Sequence, residues 1–276
     1  METERKQEIE DNKVIPALVK ELRQKFGPAL ERIKAEDVRI GLAYTGVKIS
    51  GGWGGVDCTP LYEFSGCPAA GFAGKLKGSS MDSLLELALS RGPLQAAVGI
   101  AAANALAHRL MEEGKGTGSE NQEDQAPVSD LDVLDLIRPG DRVAMVGYFR
   151  PLVPDILKKA GSLTVLEKRE VESPKVKTVA AEKAGEVLPF SDVVILSAST
   201  LANGSVDELL AFAAAGEARE VILLGPSAPL YPKPFFERGV TALMGTKITD
   251  TENMLTVISE GGGTKKLHRG CGEKVA

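Results

Sequence analysis

Five short apolar runs recur through the second half of the chain: RVAMVG at Arg142–Gly147, LTVLE at Leu163–Glu167, DVVILS at Asp192–Ser197, EVILLG at Glu220–Gly225 and TALMG at Thr241–Gly245. Apolar runs without polar alternation are what strands look like when both faces of their sheet are covered. Helical segments separate them, near Pro151–Lys159, Val206–Ala215, Pro234–Arg238 and Thr251–Ser259. This alternation predicts parallel strands joined by helical crossovers, an open, doubly wound α/β sheet.

The first half reads differently. Apolar residues at helical spacing (Val14, Leu18, Leu22, Phe26) predict a helix over Ile9–Phe26. Val38–Ser50 and Val56–Phe64 read as strands around the loop Gly51–Gly55, and Met81–Ser90 and Leu94–Met111 read as helices. Helix, strands, then helices predict a smaller α+β unit. Between the halves, Glu112–Asp130 is nearly devoid of apolar residues, so it cannot bury enough surface to offset its ordering entropy. The expected organisation is 1–111 as the α+β domain, 112–130 as a flexible linker, 131–260 as the parallel α/β domain and 261–276 as a tail.

Charge and composition exclude several classes. Lys and Arg number 33 against 38 Asp and Glu, a net charge of −5. A nucleic-acid partner calls for a strongly basic domain, and aromatics at 5% are too sparse for a base-stacking platform. No apolar stretch reaches the roughly 18 residues of a membrane span. METERKQEIEDNK lacks the apolar core of a secretory signal. A cytoplasmic protein with no membrane partner is expected, and Cys58, Cys67 and Cys271 then read as reduced thiols.

In an open parallel sheet the ligand lies beyond the carboxyl ends of the strands. The candidate ligand-binding residues are therefore Gly147, Tyr148 and Phe149 after the first run, Glu167 ending the second, Thr200, Asn203 and Gly204 after the third, and Gly225, Pro226 and Ser227 after the fourth. Glu167 follows Gly147 by twenty residues, the spacing at which a carboxylate binds ribose hydroxyls in nucleoside sites. It reads equally as a strand end beside Lys168 and Arg169. The full G-x-G-x-x-G is absent: Gly147 is followed by Tyr-Phe-Arg-Pro, which disfavours standard NAD binding. Gly71–Lys75 lacks the length and the Ser/Thr of a P-loop. The hydroxyls and amide of Ser199–Gly204 precede a helix, a setting that suits an anion, although capping by Ser205 explains part of the pattern.

The first half adds Asn104, in the middle of an alanine-rich helix, where a buried amide must be hydrogen-bonded. His108 lies one turn on, on the same face. The pair either faces a cleft between the domains or is a satisfied core Asn with a solvated His. Thr45–Asp57 is either a lid tipped by Trp53 or a long hairpin loop. Cys58 and Cys67 lack a zinc spacing. His268 and Cys271 offer two ligands in a flexible tail, whereas structural zinc takes four. No catalytic set stands out, so catalytic residues and metal ligands stay unassigned.

GYFRPLV at Gly147–Val153, the lone Glu167, DVVILSASTLANGSVDELL at Asp192–Leu210 and VILLGPSAPLYPKPFFERGVTALMGTKITD at Val221–Asp250 together resemble the uncharacterised family described as putative heavy-metal chelation proteins. GLAYT at Gly41–Thr45 and AAANAL at Ala101–Leu106 resemble its companion domain. The resemblance implies an enolase N-terminal-like domain joined to a Rossmann-like domain, a ligand site at their junction, metal binding, and a chelated heavy metal as the bound group.

Two functional readings follow. In the first, an interdomain cleft binds a metal chelate or an anionic metal-binding small molecule. Backbone N–H groups at Thr200–Gly204 and Gly225–Ser227 hold its carboxylates, and Asn104 faces it from the other domain. In the alternative, the protein is a transferase or lyase using a nucleoside-bearing ligand such as S-adenosylmethionine, with Glu167 on the ribose and Tyr148 or Phe149 on the base. Either is compatible with a homo-oligomer.

Overall fold

A computed structural model describes residues 13–61, 70–117, 131–168 and 176–276. The start of the first expected helix, the end of the Val56–Phe64 strand, Cys67 and most of the expected linker lie outside these residues.

The chain begins with helix α1 (Val14–Phe26), followed by strands β1 (Ala35–Ile40), β2 (Tyr44–Ile49) and β3 (Trp53–Cys58) and helices α2 (Met81–Ala88) and α3 (Pro93–Thr117). The three strands form an antiparallel sheet in the order β1-β2-β3. The segment Val38–Ser50, expected as one strand, is in fact a hairpin that turns at Gly41–Ala43, with Ile40 opposite Thr45. Apolar residues lie on both sides of the turn, and Gly41 is its one mark in the sequence. The Thr45–Asp57 segment is likewise a hairpin and not a lid. Ile49 pairs with Trp53, and Gly51 and Gly52 take φ of +93° and +84° at the tip. α3 continues six residues past Met111 into the segment expected as linker.

The second half runs β4 (Arg142–Val146), α4 (Val153–Lys159), β5 (Ser162–Glu167), β6 (Lys177–Ala180), α5 (Ala184–Val187), β7 (Val193–Ser197), α6 (Ser199–Ala202), α7 (Val206–Ala214), β8 (Glu220–Leu224), α8 (Lys233–Phe236), β9 (Ala242–Ile248), α9 (Thr251–Ser259), α10 (Thr264–Gly270) and β10 (Gly272–Val275). The sheet order is β10-β9-β8-β7-β4-β5-β6. All pairs are parallel except β10 on β9. All five predicted strands are present. The two edge strands β6 and β10 are additional, and residues 264–275, expected in a flexible tail, form a helix and the antiparallel edge. Among the described residues, no helix is long and apolar enough to cross a membrane.

The strand alternation explains the continuous apolar runs. Ala144, Val146, Val194, Leu196, Val221 and Leu223 face one buried cluster, and Val143, Met145, Val193, Ile195 and Ile222 face another. The first cluster continues without a break into Val47, Ala101 and Leu106 of the small-sheet unit. The two halves therefore share a core. Gly55 shows how closely they pack: a Cβ there would overlap the backbone of Ala101 and Ala105 on α3. A strand can lie directly on a helix backbone only where the side chain is absent.

Candidate functional site

Chain order reverses between β4 and β7. β4 leads to β5 on one side, and β7 leads to β8 on the other. At such a switch point the two connections leave in opposite directions and open a crevice beyond the strand ends. A cleft of about 620 Å³ lies there.

Gly147 makes the first bend. It leaves β4 with φ +89°, and a Cβ would come within 2.9 Å of the Ser197 Cβ on β7. Glu167, at the end of β5, reaches across to the same loop. Its Oε2 accepts the Tyr148 amide at 3.0 Å and its Oε1 accepts the Lys168 amide at 2.8 Å. Tyr148 and Phe149 add aromatic wall. From β7, the Ser197 and Ser199 hydroxyls lie 2.9 Å apart. The nearly buried Thr200 hydroxyl donates to the Ser197 carbonyl at 2.7 Å. Asn203 Oδ1 accepts from the Ser205 amide at 3.1 Å and its hydroxyl at 2.7 Å, so Asn203 holds the turn into α7, and the Ser205 side chain makes no cap.

Six residues expected at the site therefore line one cleft: Gly147, Tyr148, Phe149, Glu167, Thr200 and Asn203. Gly204 lies between two lining residues without lining it itself. Gly225, Pro226, Ser227 and Asn104 do not line it either. The expectation that backbone amides of these loops hold a ligand's carboxylates meets a physical obstacle. The Asn203 and Gly204 amides donate to Ser199 and Leu201 carbonyls, and the Gly225 amide donates to the Met244 carbonyl at 2.9 Å. Sequence reasoning missed Ser197, Glu182, Glu208 and Cys58 on the cleft wall. Glu208 carried the one available signal, an acidic residue in the first turn of a helix that follows a strand exit.

Cys58 brings the small sheet to the cleft. Burial pushes its thiol up to about 12, so it stays protonated near neutrality. Behind it sits a buried polar cluster. Ser227 Oγ accepts the Cys58 amide at 2.8 Å, and Asn104 Nδ2 donates to the Val56 and Ser227 carbonyls at 2.8 and 3.0 Å. Asp57 is wholly buried, and neither carboxylate oxygen makes a hydrogen bond. Burial drives its pKa well above the ordinary carboxylate value, and the nearby Ser227 hydroxyl and Cys58 amide oppose this only in part. His108 is buried and meets Trp53 edge-on at 5.2 Å, away from the solvated position that was one of its two expected settings. At the far end of the fold, His268 Nε2 lies 2.8 Å from the Thr246 hydroxyl, while Cys271 is buried and pushed up to about 11. Those two side chains are thus part of the packed sheet edge.

A large, mostly parallel sheet and a smaller antiparallel sheet define a two-domain α/β protein, with a cleft at the switch point of the larger sheet. The chain belongs to the DUF364 family, which it matches over residues 130–276. Residues 23–107 match the DUF4213 family, and both families carry the description "Putative heavy-metal chelation". A crystal structure of a DUF364 protein of unknown function from Pyrococcus horikoshii is similar at 23% identity and TM-score 0.76, covering 96% of this chain and 99% of that one. One from Desulfitobacterium hafniense is similar at 19% identity and TM-score 0.74, covering 94% and 97%. No curated protein matches the chain.

Proposed function

We propose that the protein binds a small-molecule metal chelate in the cleft beyond β4 and β7, the metal being cargo and not a resident cofactor. The cleft itself carries this reading. Its volume of about 620 Å³ suits a small organic molecule. Polar groups converge on it from four strand ends, and Tyr148, Phe149 and Phe212 offer apolar surface for a ligand frame. The family description supplies the metal.

The residues present fit a metal that arrives with its own ligands. Among the described residues, no three His, Cys, Asp or Glu side chains group as a ligand set, and the Cys58 thiol on the wall is held protonated. A metal ligand must be deprotonated. The chain therefore contacts the chelator: Glu167 and the Ser197 and Ser199 hydroxyls accept or share its hydrogen bonds, and the aromatic wall packs on its frame. Calorimetric titration with amine- and carboxylate-ligated cobalt and nickel complexes tests this. One class should bind one to one, and Ser199→Phe, which fills the cleft, should abolish binding. Binding unchanged in that variant contradicts the reading.

One observation favours a second reading. Glu167 and Gly147 stand together on the wall at the ends of adjacent strands, where a nucleoside-bearing ligand such as S-adenosylmethionine places its ribose. The protein would then be a transferase or lyase. A thermal shift with millimolar S-adenosylmethionine that Glu167→Ala removes would support it.

A further inference from the structure

We infer that the cleft selects a positively charged ligand and rejects phosphates and carboxylates, an inference that rests on the cleft being the binding site. Doubly wound sheets usually hold anions at two places beyond the strand ends, the amides of the first loop and the N-terminus of a following helix. In this chain an acceptor of its own occupies the first, and carboxylates of its own flank the second.

At the first loop, Glu167 Oε2 takes the Tyr148 amide at 3.0 Å, where a ligand oxyanion would otherwise bond. Its Oε1 takes the Lys168 amide. The carboxylate lines the cleft, and each oxygen keeps lone-pair capacity for a further donor. At the second place, α7 is nine residues long and carries Asp207 and Glu208 in its first turn. Asn203 Oδ1 takes the Ser205 amide just before it. The positive end of that helix dipole is thus already complemented by carboxylates.

The charges on the wall point the same way. Among the described residues, Glu167, Glu182 and Glu208 line the cleft against Lys168. A second anion brought among three carboxylates is repelled, whereas a cation is attracted, and because Glu182 and Glu208 are exposed, solvent moderates both effects. The expected anionic metal-binding molecule is therefore replaced by a compact cation. Its charge comes either from an amine-ligated metal centre or from an organic sulfonium or ammonium group.

The test uses two pairs of probes at about 0.15 M salt, which screens general attraction to an acidic protein. Hexaamminecobalt(III) is compared with tris(oxalato)cobaltate(III), and S-adenosylmethionine with S-adenosylhomocysteine, the thioether that lacks its sulfonium charge. At least one cation should bind about tenfold more tightly than its partner, and which one does so identifies the source of the charge. Glu208→Gln, at an exposed position, should weaken that cation about threefold, and the Glu167→Gln, Glu208→Gln double variant about tenfold or more. Glu260→Gln, on an exposed helix end away from the cleft, should leave it unchanged. Tighter binding of the oxalato complex or of the thioether, abolished by Ser199→Phe, overturns the charge inference and leaves the cleft reading intact. Cation binding that ignores Ser199→Phe and both glutamate changes overturns the cleft reading too. Binding of none of the four at millimolar concentration overturns the inference.

Discussion

The Asn104 side-chain amide donates to the Ser227 carbonyl at 3.0 Å, tying a helix of the small-sheet unit to the loop that leaves β8. The same nitrogen bonds the Val56 carbonyl at 2.8 Å. One amide on α3 thus holds both halves of the chain where they meet. Asn104→Ala leaves both carbonyls buried without this donor, and destabilisation by about 2–4 kcal/mol is expected in urea unfolding. A loss below about 0.5 kcal/mol would show that the bond does not fix the junction.

Asp57 makes stability depend on pH. Its native pKa is raised well above the ordinary value because the carboxyl is buried, and the nearby Ser227 hydroxyl and Cys58 amide offset this only in part. The native state therefore keeps a proton that the unfolded chain releases. Stability from this group is full below the unfolded pKa of about 4 and falls as pH rises from there toward the native value. Asp57→Asn, which is neutral throughout, should equal the wild type near pH 4 and exceed it at pH 8 in urea midpoint. A parallel pH dependence in both proteins would assign the effect elsewhere.

Gly55→Ala tests the contact between strand and helix. The added methyl meets the α3 backbone at Ala101 and Ala105, which cannot rotate away as a side chain would. Destabilisation of at least about 2 kcal/mol is expected. Gly52→Ala is a useful comparison: its methyl meets nothing within 4 Å, and only the φ of +84° resists it. A smaller loss is expected there, measured by the same unfolding curves.

The Cys58 and Cys271 thiols should be inert. With Cys58 at about 12 and Cys271 at about 11, the thiolate fraction near neutrality is very small. Iodoacetamide at pH 7.5, followed by peptide mass mapping, should leave both unmodified in the folded protein and label both in denaturant. Rapid labelling of Cys58 in the folded state would indicate a thiolate at the cleft and reopen direct metal ligation.

The large sheet was legible because burial on both faces writes itself as continuous apolar runs. β6, with the sequence KTVA, and β10, with GEKV, were not, because edge strands are short and partly solvated. The hairpin inside Val38–Ser50 was hidden by apolar residues on both sides of the turn. At the candidate site, the rule that ligands lie beyond strand ends nominates Gly147, Tyr148 and Glu167, which line the cleft. The same rule nominates Gly225–Ser227, which do not line the cleft, and the small-sheet unit meets Ser227. Ser227 is buried against Cys58 and Asn104, a contact spanning 169 positions along the chain in the first case. No local pattern carries such a contact, nor the arrival of Cys58 at the cleft. The use of Glu167 to satisfy the Tyr148 amide is similarly a property of three dimensions, since the spacing alone fits a ribose ligand equally well.

The most direct measurement is anomalous scattering from crystals of the full chain soaked with the tightest-binding cobalt complex. The account predicts a single strong peak between Glu167 and Ser199, at the ends of β5 and β7. A dominant peak at the His268 and Cys271 edge, or on the outer surface with the cleft empty of cobalt, would contradict it.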